Sequence, residues 1–242
     1  MKKTISVMLF KREDYSRQVL EHIGRAEGID EWSVYVYCDN PGHSKIFDMA
    51  KEFPFVKRAH FAPTRRGMKV ANPWAIGTNF KLYKSDLNLH VEDDVLIGPD
   101  ALKFIEACEP HIKGEVGSVS LAGYMEKIKK PADEDMTKVF RNHWFTCGYG
   151  WAMTRKVYED HFAKAGDAGD IRSWAMNFNG HFLKHGLDEL RSYVRRSKNI
   201  GADGSTNPIY GPGVLNCEDM GDDWTGSTGS VMEWDFNVLR VS

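Results

Sequence analysis

The alternation of short apolar runs with helical segments in the first half of the chain is the feature that most constrains its fold. The segments between the runs place apolar residues at helical spacing, and the connections are short. Because parallel strands need a crossover, usually a helix, this order predicts an α/β fold with a mostly parallel central sheet flanked by helices. The runs with the length and β-branched content of buried strands are 4–10, 33–38, 55–61, 87–91 and 116–122.

Cap and turn residues place the ends of the expected helices. Asn72 and Pro73 are the expected start of the third helix, Thr154 is the expected N-cap of the fifth, and Gly186 ends the sixth. After residue 122 the chain becomes polar, aromatic and glycine-rich, with one further strand expected at 192–197. The expected helices are 13–26, 44–53, 72–85, 99–108, 154–165 and 174–185.

Composition excludes several classes of protein. The 242 residues carry 32 Lys and Arg against 34 Asp and Glu, a formal net charge of −2, which argues against a protein that wraps a polyanion. The four cysteines form no CxxC pair, so neither a zinc knuckle nor a thioredoxin-like motif is predicted. With no run of 18 apolar residues, we expect a cytoplasmic protein that does not insert into membranes.

The length and the absence of a dividing linker predict a single domain over 1–242. Within it we expect residues 1–122 to form the ligand-binding half that carries the strand and helix alternation. Residues 123–242 would form a second half with a loop-rich tail.

Charged residues follow three of the predicted strands at the point where each strand ends. Arg12 follows the first strand, Asp39 the second, and Glu92, Asp93 and Asp94 follow the fourth. In open α/β sheets ligands bind beyond the carboxyl ends of the strands. These residues therefore mark the expected ligand site, independently of any family.

The three consecutive acids have two interpretations. Adjacent ionised carboxylates repel one another, and they become tolerable when they are solvated or when a hard divalent cation neutralises them. An acidic turn in which Asp94 and Asp100 act as caps explains the same residues without a cation. The residues alone leave both interpretations open.

HVEDDVLIGPDALKFI at 90–105 resembles the EDD form of the DXD motif in glycosyltransferases of the GT-A fold. The pattern is similar to that of family 2-like enzymes and of the N-acetylglucosaminyltransferase I group. Three further segments resemble the same family in the same order: SVYVYCDNPG at 33–42, FTCGYGWAMTRKVYEDHF at 145–162 and RSKNIGADGS at 196–205. The resemblance covers roughly residues 4–207 and implies the GT-A (Rossmann-like) fold and transfer of a sugar from a nucleotide-sugar.

The resemblance also implies roles for the residues at the strand ends. Asp94 would coordinate Mn²⁺ or Mg²⁺ that bridges the donor diphosphate, and Asp93 would face the ribose or assist the metal. Glu92 would fix the loop. Asp39 would contact the nucleotide base, and Arg12 the base or the diphosphate.

The sequence departs from the family's pattern at two places. The late His that many of these enzymes use as a second metal ligand is absent from 205–208. Inverting transfer also needs a carboxylate near the acceptor hydroxyl, and Ser173 stands where the family has an Asp before Trp174. The candidate bases are therefore Asp170, which is nearer to that Trp, and Asp167. A role as loop and cap aspartates stays open for both.

Aromatic residues of the second half are candidates for the acceptor side. Sugar rings have apolar faces that stack on aromatic rings, so Tyr149, Trp151 and Trp174 are predicted to line the acceptor cleft. Packing in the hydrophobic core is the alternative for each of them.

Local groups of basic residues give the remaining candidates. Arg65 and Arg66 can bind the donor diphosphate, and the cations at 191–198 can bind a nucleic-acid acceptor, although a solvated surface explains both groups. His181 and His185 have a spacing that can bind zinc, but without an HExxH pattern we interpret them as surface histidines.

The sequence therefore predicts a metal-dependent glycosyltransferase that transfers a sugar from a nucleotide-sugar, preferably a UDP-sugar, to the hydroxyl of a glycan or another acceptor. The transfer is expected to invert the configuration of the anomeric carbon. One alternative is a glycosyltransferase that modifies a hydroxymethylated base in DNA. A second is a non-catalytic glycan- or nucleic-acid-binding protein on a degenerate transferase scaffold. A nucleotidyltransferase is disfavoured, since 11–15 lacks a glycine-rich phosphate loop.

Overall fold

The computed structural model describes residues 1–42, 44–122, 138–143, 145, 149–163, 174–192, 194–201 and 240–241. Its strands are β1 Lys3–Leu9, β2 Trp32–Cys38, β3 Val56–Phe61, β4 Leu87–Glu92, β5 Val95–Ile97, β6 Val116–Ser120, β7 Val139–Asn142, β8 Trp151–Thr154, β9 Asp188–Ser192, β10 Ser197–Asn199 and β11 Arg240–Val241. Its helices are α1 Glu13–Arg25, α2 Ser44–Lys51, α3 Met68–Lys81, α4 Ala101–Cys108, α5 Arg155–Val157, which continues as a π turn over Tyr158–Phe162, and α6 Trp174–His185. Short 3₁₀ turns cover Ile29–Glu31 and Glu109–His111.

A central sheet contains nine of the described strands in the order β11-β7-β9-β6-β8-β4-β1-β2-β3. β1 lies between β2 and β4 and is parallel to both, and β3 is parallel to β2. β6 and β9 are parallel, as are β7 and β11, whereas β8 is antiparallel to its neighbours β4 and β6. β7 and β9 are also antiparallel. The sheet is thus mostly parallel, as the alternation of elements predicted.

β4, β1 and β2, which are neighbours in the sheet, are buried on both faces. Ile5 and Val7 of β1 lie on one face and Thr4 and Ser6 on the other, and none of the four has exposed surface. β2 and β4 are similarly enclosed. Continuous apolar runs are typical of parallel strands that helices cover on both sides. α1 contributes Val19 and Ile23 to the same core.

A buried network of polar side chains joins α3 to the sheet. Asn79 of α3 donates to Asn88 of β4 at 2.6 Å, and Asn88 in turn donates to Ser6 of β1 at 3.0 Å. Thr4 of β1 donates to Asn88 at 2.8 Å, and the Tyr37 hydroxyl of β2 donates to Asn79 at 2.5 Å. Because buried polar groups need partners, this network fixes which face of α3 lies on the sheet.

The start of α3 differs from the prediction. The helix begins at Met68, and Asn72 and Pro73, expected at its beginning, lie inside it. The carboxylate of Asp39 accepts hydrogen bonds from the backbone N–H groups of Arg66 and Gly67 and so holds the chain just before the helix. This partner lies 27 positions away in sequence, so no local cap residue announced the earlier start.

The prediction of a late strand at 192–197 is also wrong in position. The chain instead forms β9 and β10 on either side of residues 194–196. β9 begins with Asp188 and Glu189, which are fully buried, and Glu189 accepts from Ser118 at 3.1 Å and from Arg191 at 2.9 Å. A buried strand with this polar composition has no apolar pattern to reveal it.

Two of the cations at 191–198 are internal. The Arg196 side chain has no exposed surface, donates to Asp100 at 2.9 Å and lies over the ring of Phe104 at 4.7 Å. Arg191 is 6 % exposed and pairs with Glu189. These two side chains therefore stabilise the fold and do not form part of a basic surface.

The second half also contains elements that match the prediction. The Thr154 side chain accepts from Val157 N–H at 3.5 Å, which confirms this residue as an N-cap. Gly186, with φ of 62°, follows the end of α6. Among the helices of the described ranges, none combines the length and the apolar character needed to span a bilayer.

Candidate functional site

The carboxyl ends of β1, β2 and β4 meet at one edge of the sheet. Leu9 is paired with Cys38, and Met8 with Glu92, so the segments that follow these strands leave the sheet side by side. This arrangement places Arg12, Asp39 and the acids at the edge of the sheet where open α/β folds bind ligands.

Arg12 binds two of the three acids. Its Nη2 donates to Asp93 Oδ1 and, at 2.8 Å, to Asp94 Oδ2, and its Nε donates to Asp93 Oδ2 at 3.2 Å. The guanidinium also lies over the Tyr15 ring at 5.1 Å. Burial works against the charge of Arg12, but Asp93 and Asp94 outweigh it and raise the pKa of the guanidinium.

Positive charge is nevertheless scarce in the cluster. Burial, followed by the charges of Asp94 and Asp93, raises the pKa of Glu92 to about 8, although Asn72 Nδ2 donates to Glu92 Oε1 at 2.7 Å. Burial also raises the pKa of Asp93 in spite of its hydrogen bonds to Arg12. A raised carboxyl pKa means that the nearby positive charge does not fully offset the cost of burying the ionised carboxylate. A cation added at this place would stabilise the cluster.

The late segment of the described chain covers the acids. β10 pairs with β5, the short strand directly after the acids, and the Ile200 N–H donates to the backbone oxygen of Asp94 at 2.8 Å. A Cβ on Gly201 would overlap the Asp94 carboxylate and lie 2.9 Å from its Cγ, so the backbone approaches Asp94 as closely as only glycine allows. The Gly201 N–H donates to Asn199 Oδ1 at 2.8 Å, which holds this turn in place.

One ligand atom of this cluster fits a divalent cation. Asp94 Oδ1 is buried and accepts no hydrogen bond within the described part of the chain, while Oδ2 faces Arg12. Buried carboxylate oxygens are normally satisfied. An oxygen left free beside two further carboxylates matches the oxygen ligands that Mn²⁺ and Mg²⁺ prefer.

The described contacts of Asp39 and Arg66 are with the start of α3 and not with the three acids. Asp39 is 4 % exposed and accepts from the backbone of Arg66 at 2.7 Å and of Gly67 at 2.8 Å. The Arg66 guanidinium lies over the Trp74 ring at 4.4 Å. Among the hydrogen bonds of the described residues, none joins Asp39 or the Arg66 side chain to the three acids.

The predicted acceptor-side aromatic residues are buried. Trp151, Trp174 and Tyr149 are 1 %, 3 % and 5 % exposed. Trp151 contacts Phe145 with ring centroids 4.7 Å apart, and it stacks with Trp174 at 6.3 Å. These rings build the core between the sheet and α6, which supports the packing interpretation over a cleft-lining one.

The candidate bases Asp167 and Asp170 lie outside the described residues, as do Ser173 and the segment 205–208. Two residues of the site were missed from the sequence. Asn72 was expected as a helix cap and instead binds Glu92. Gly201 belongs to the RSKNIGADGS segment, whose resemblance to the family was its only signal.

Comparisons with known proteins show the fold. No protein-family model matches the sequence, and no curated protein matches it. Among solved structures, TarS 1-349 from S. aureus has a TM-score of 0.57 at 12 % identity, covering 84 % of this chain and 62 % of that one. The mannosyltransferase PcManGT from Pyrobaculum calidifontis, in complex with GDP-Man and Mn²⁺, has a TM-score of 0.52 at 16 % identity, covering 78 % and 53 %. TarS 1-349 in complex with UDP has a TM-score of 0.53 at 12 % identity, covering 78 % and 57 %.

The chain thus has the fold of these proteins, which confirms the predicted α/β, GT-A-like architecture. It spans less than two thirds of the length of each of them.

Proposed function

We propose that the protein is a metal-dependent glycosyltransferase that moves a sugar from a nucleotide-sugar, preferably a UDP-sugar, to an acceptor hydroxyl on a glycan or another molecule. The observation that carries the proposal is the buried Oδ1 of Asp94 just after β4, which accepts no hydrogen bond from any described residue. The fold adds support, since similar structures hold GDP-Man with Mn²⁺ in one case and UDP in another.

Asp94, with Asp93 beside it, would hold Mn²⁺ or Mg²⁺. When bound, the cation supplies positive charge that stabilises a departing nucleoside diphosphate. Arg12 adds a guanidinium at the same edge and keeps the two carboxylates oriented. Glu92 is held by Asn72 and fixes the turn that presents the acids.

Asp39 and Arg66 would act on the donor through the start of α3. Asp39 keeps the backbone at Arg66 and Gly67 in place after β2, the strand next to β1. We assign the nucleotide base to Asp39 and the diphosphate to Arg12 and Arg66.

Asp170 is the proposed general base, with Asp167 as the second candidate, and it would take the proton of the attacking hydroxyl. That hydroxyl would bond to the anomeric carbon as the bond to the nucleoside diphosphate breaks, a single displacement that inverts the configuration. Asp170→Asn should lower kcat at least about 100-fold with donor binding unchanged. The same change at Asp167 should have little effect. An opposite ranking of the two variants would assign the base to Asp167.

The cation site is tested with Asp94→Asn, which keeps the size of the side chain and removes its charge. Transfer from a UDP-sugar with Mn²⁺ should fall at least about 100-fold, and Mn²⁺-dependent UDP binding should be lost. Asp48→Asn is the control, because Asp48 is exposed on α2 and pairs only with Lys51 among the described residues. Normal turnover by Asp94→Asn would show that the proposed mechanism is wrong.

The two alternatives from the sequence receive less support. A nucleic-acid acceptor needs a basic surface, and Arg191 and Arg196 are buried in ion pairs. A non-catalytic binding protein would show no donor turnover in the assay with Mn²⁺, so the same experiment separates it from an enzyme.

A further inference from the structure

Three histidines converge between the π turn and α6. His161 lies on the π turn, and His181 and His185 lie one turn apart on α6. One ring nitrogen from each of the three lies within 4.8 Å of the others. The ring centroids of His181 and His185 are 4.2 Å apart, and that of His161 is 5.1 Å from His185.

The local backbone explains why His161 faces α6. The Ala163 N–H donates to the Tyr158 backbone oxygen at 2.7 Å, the wide spacing of a π turn. Phe162 stacks on Phe178 of α6 with ring centroids 4.5 Å apart and so fixes the two elements against each other. The histidine cluster is therefore built on packed elements.

Two of the ring nitrogens are buried without a hydrogen bond. His161 Nδ1 and His181 Nε2 have no partner within the described residues. Burial, followed by the charge of His185, lowers the pKa of His161 and lowers that of His181 to about 4. The two buried nitrogens without a hydrogen-bond partner in the described residues are what a bound metal ion would satisfy.

We propose that His161, His181 and His185 form a second cation site, specific for Zn²⁺ or a similar transition metal, with water in the fourth position. Three imidazoles are a set of ligands that suits Zn²⁺, Co²⁺ or Ni²⁺ and not Mg²⁺. Zinc binds nitrogen at about 2.0–2.1 Å, so the three nitrogens, which lie within 4.8 Å of one another, would move closer together to bind one ion. The site is independent of the proposed donor site at Asp94.

The role that we assign to this site is structural. The ion would tie the π turn to α6, the elements that precede and follow residues 164–173 in the chain. That connecting segment contains Asp167 and Asp170. A bound ion would fix both of its ends.

The test is a titration of the full chain, stripped with a chelator, with Co²⁺ and then Zn²⁺. We expect one equivalent of Co²⁺ to give the visible absorption bands of a four-coordinate site, and Zn²⁺ to displace it. His185 is exposed, so His185→Asn should fold with an unchanged melting temperature without metal. It should bind Co²⁺ at least tenfold more weakly and lose the bands.

Two controls separate this site from others. His111→Asn changes an exposed histidine outside the cluster, and Asp94→Asn changes the acid site. Both should retain the bands. Zn²⁺ should raise the melting temperature of the unsubstituted protein by several degrees and leave that of His185→Asn unchanged.

The proposal is overturned if the protein binds no stoichiometric Co²⁺, or if His185→Asn keeps the bands. It is overturned as well if His111→Asn loses them to the same extent. His161→Gln provides a second variant of the cluster. Should it not fold, the comparison of His185→Asn with His111→Asn decides the outcome by itself.

Discussion

Asp94 has two carboxylate oxygens in different surroundings. Oδ2 accepts a hydrogen bond from Arg12 at 2.8 Å, and Oδ1 is buried and accepts none within the described chain. The close approach of Gly201 leaves the carboxylate little freedom to rotate. Its free oxygen is therefore held in one direction, which is the preorganisation that a cation site needs.

Replacement of Gly201 tests this close approach. In Gly201→Ala the new methyl group would overlap the Asp94 carboxylate, which must then move. We expect Mn²⁺-dependent transfer to fall at least about tenfold, since small displacements of a catalytic group are costly. Steady-state kinetics with a UDP-sugar measure the effect.

Gly180→Ala is the matched control, because no atom lies within 4 Å of a Cβ at this exposed position in α6. It should keep full activity and gain up to about 1 kcal/mol of stability from helix propensity. Equal activity of the two variants would contradict the role given to Gly201.

His90 makes the stability of the protein depend on pH. Burial lowers the pKa of this side chain to about 3, and its Nδ1 lies 3.0 Å from the Ser6 hydroxyl. Below the pKa of about 6.5 of an unfolded histidine, the unfolded chain binds a proton that the folded protein does not. The free energy of unfolding should therefore fall as the pH drops from about 6.5 towards 3, by up to about 1.4 kcal/mol per pH unit.

Urea unfolding at pH 7, 6 and 5 measures this dependence. His90→Phe removes the titrating group and keeps a ring among Trp151 and Trp174. The variant should show a smaller loss of stability at low pH than the unsubstituted protein. Identical slopes would mean that His90 is not the cause.

Residue types explain which site residues could be predicted. Three consecutive acids at a strand end, together with the resemblance of 90–105 to a known motif, pointed to a site, and the structure places Asp93 and Asp94 beside Arg12. A tryptophan serves a core and a sugar cleft equally well, so sequence could not decide between these roles for Trp151. His161 could not be joined to His181 because a partner 20 positions away depends on the tertiary fold.

At the scale of elements, α3 is positioned by residues of the sheet. Asp39 at the end of β2 holds the backbone before the helix, and Asn79 joins the helix to Asn88 of β4. These long-range partners, and not local propensity, determine where α3 begins and which face it buries.

Truncation of Asp39 tests the first of these anchors. Asp39→Ala leaves the backbone N–H groups of Arg66 and Gly67 without their acceptor, so we expect a loss of about 1–2 kcal/mol of stability. Asp39→Asn keeps one acceptor oxygen and should lose less. Urea unfolding without ligands measures both.

Asp48→Ala is the reference, because this exposed acid should contribute less than about 0.5 kcal/mol. If Asp39→Ala were as stable as the reference, the hydrogen bonds of Asp39 would not contribute measurably to the free energy of unfolding.

Some strands could be predicted from the sequence and others could not. β1, β2 and β4 were predicted within one or two residues, because short segments rich in apolar and β-branched residues are typical of strands. β9 was missed because its buried acids are paired with Arg191 and Ser118, and such pairs leave no apolar period.

At the scale of the whole molecule, the net charge of −2 does not show that some of the opposite charges form ion pairs in the interior. Arg196 pairs with Asp100, and Arg191 with Glu189, in the interior. The acids at the end of β4 have only Arg12 as a described ion-pair partner. These two interior pairs join one cation to one acid, whereas Asp93 and Asp94 share the single guanidinium of Arg12.

Ligand-induced stabilisation tests the site in the intact protein. A ligand that binds only the folded state raises its melting temperature according to concentration and affinity. We expect UDP with Mn²⁺ to raise the melting temperature by several degrees, more than the two separate shifts added together. GDP and CMP with Mn²⁺ should give smaller shifts. No shift with any nucleotide and Mn²⁺ would contradict a donor site.

The pairing of β5 with β10 has a consequence for the order in which the molecule is made. Ile97 and Ser197 are partners, although 100 positions separate them. Contacts between distant segments form late, because a long loop must close first. On the ribosome the acids emerge with β4, but their cover arrives only when Gly201 has been synthesised. A nascent chain therefore cannot complete the proposed cation site until Gly201 has been made.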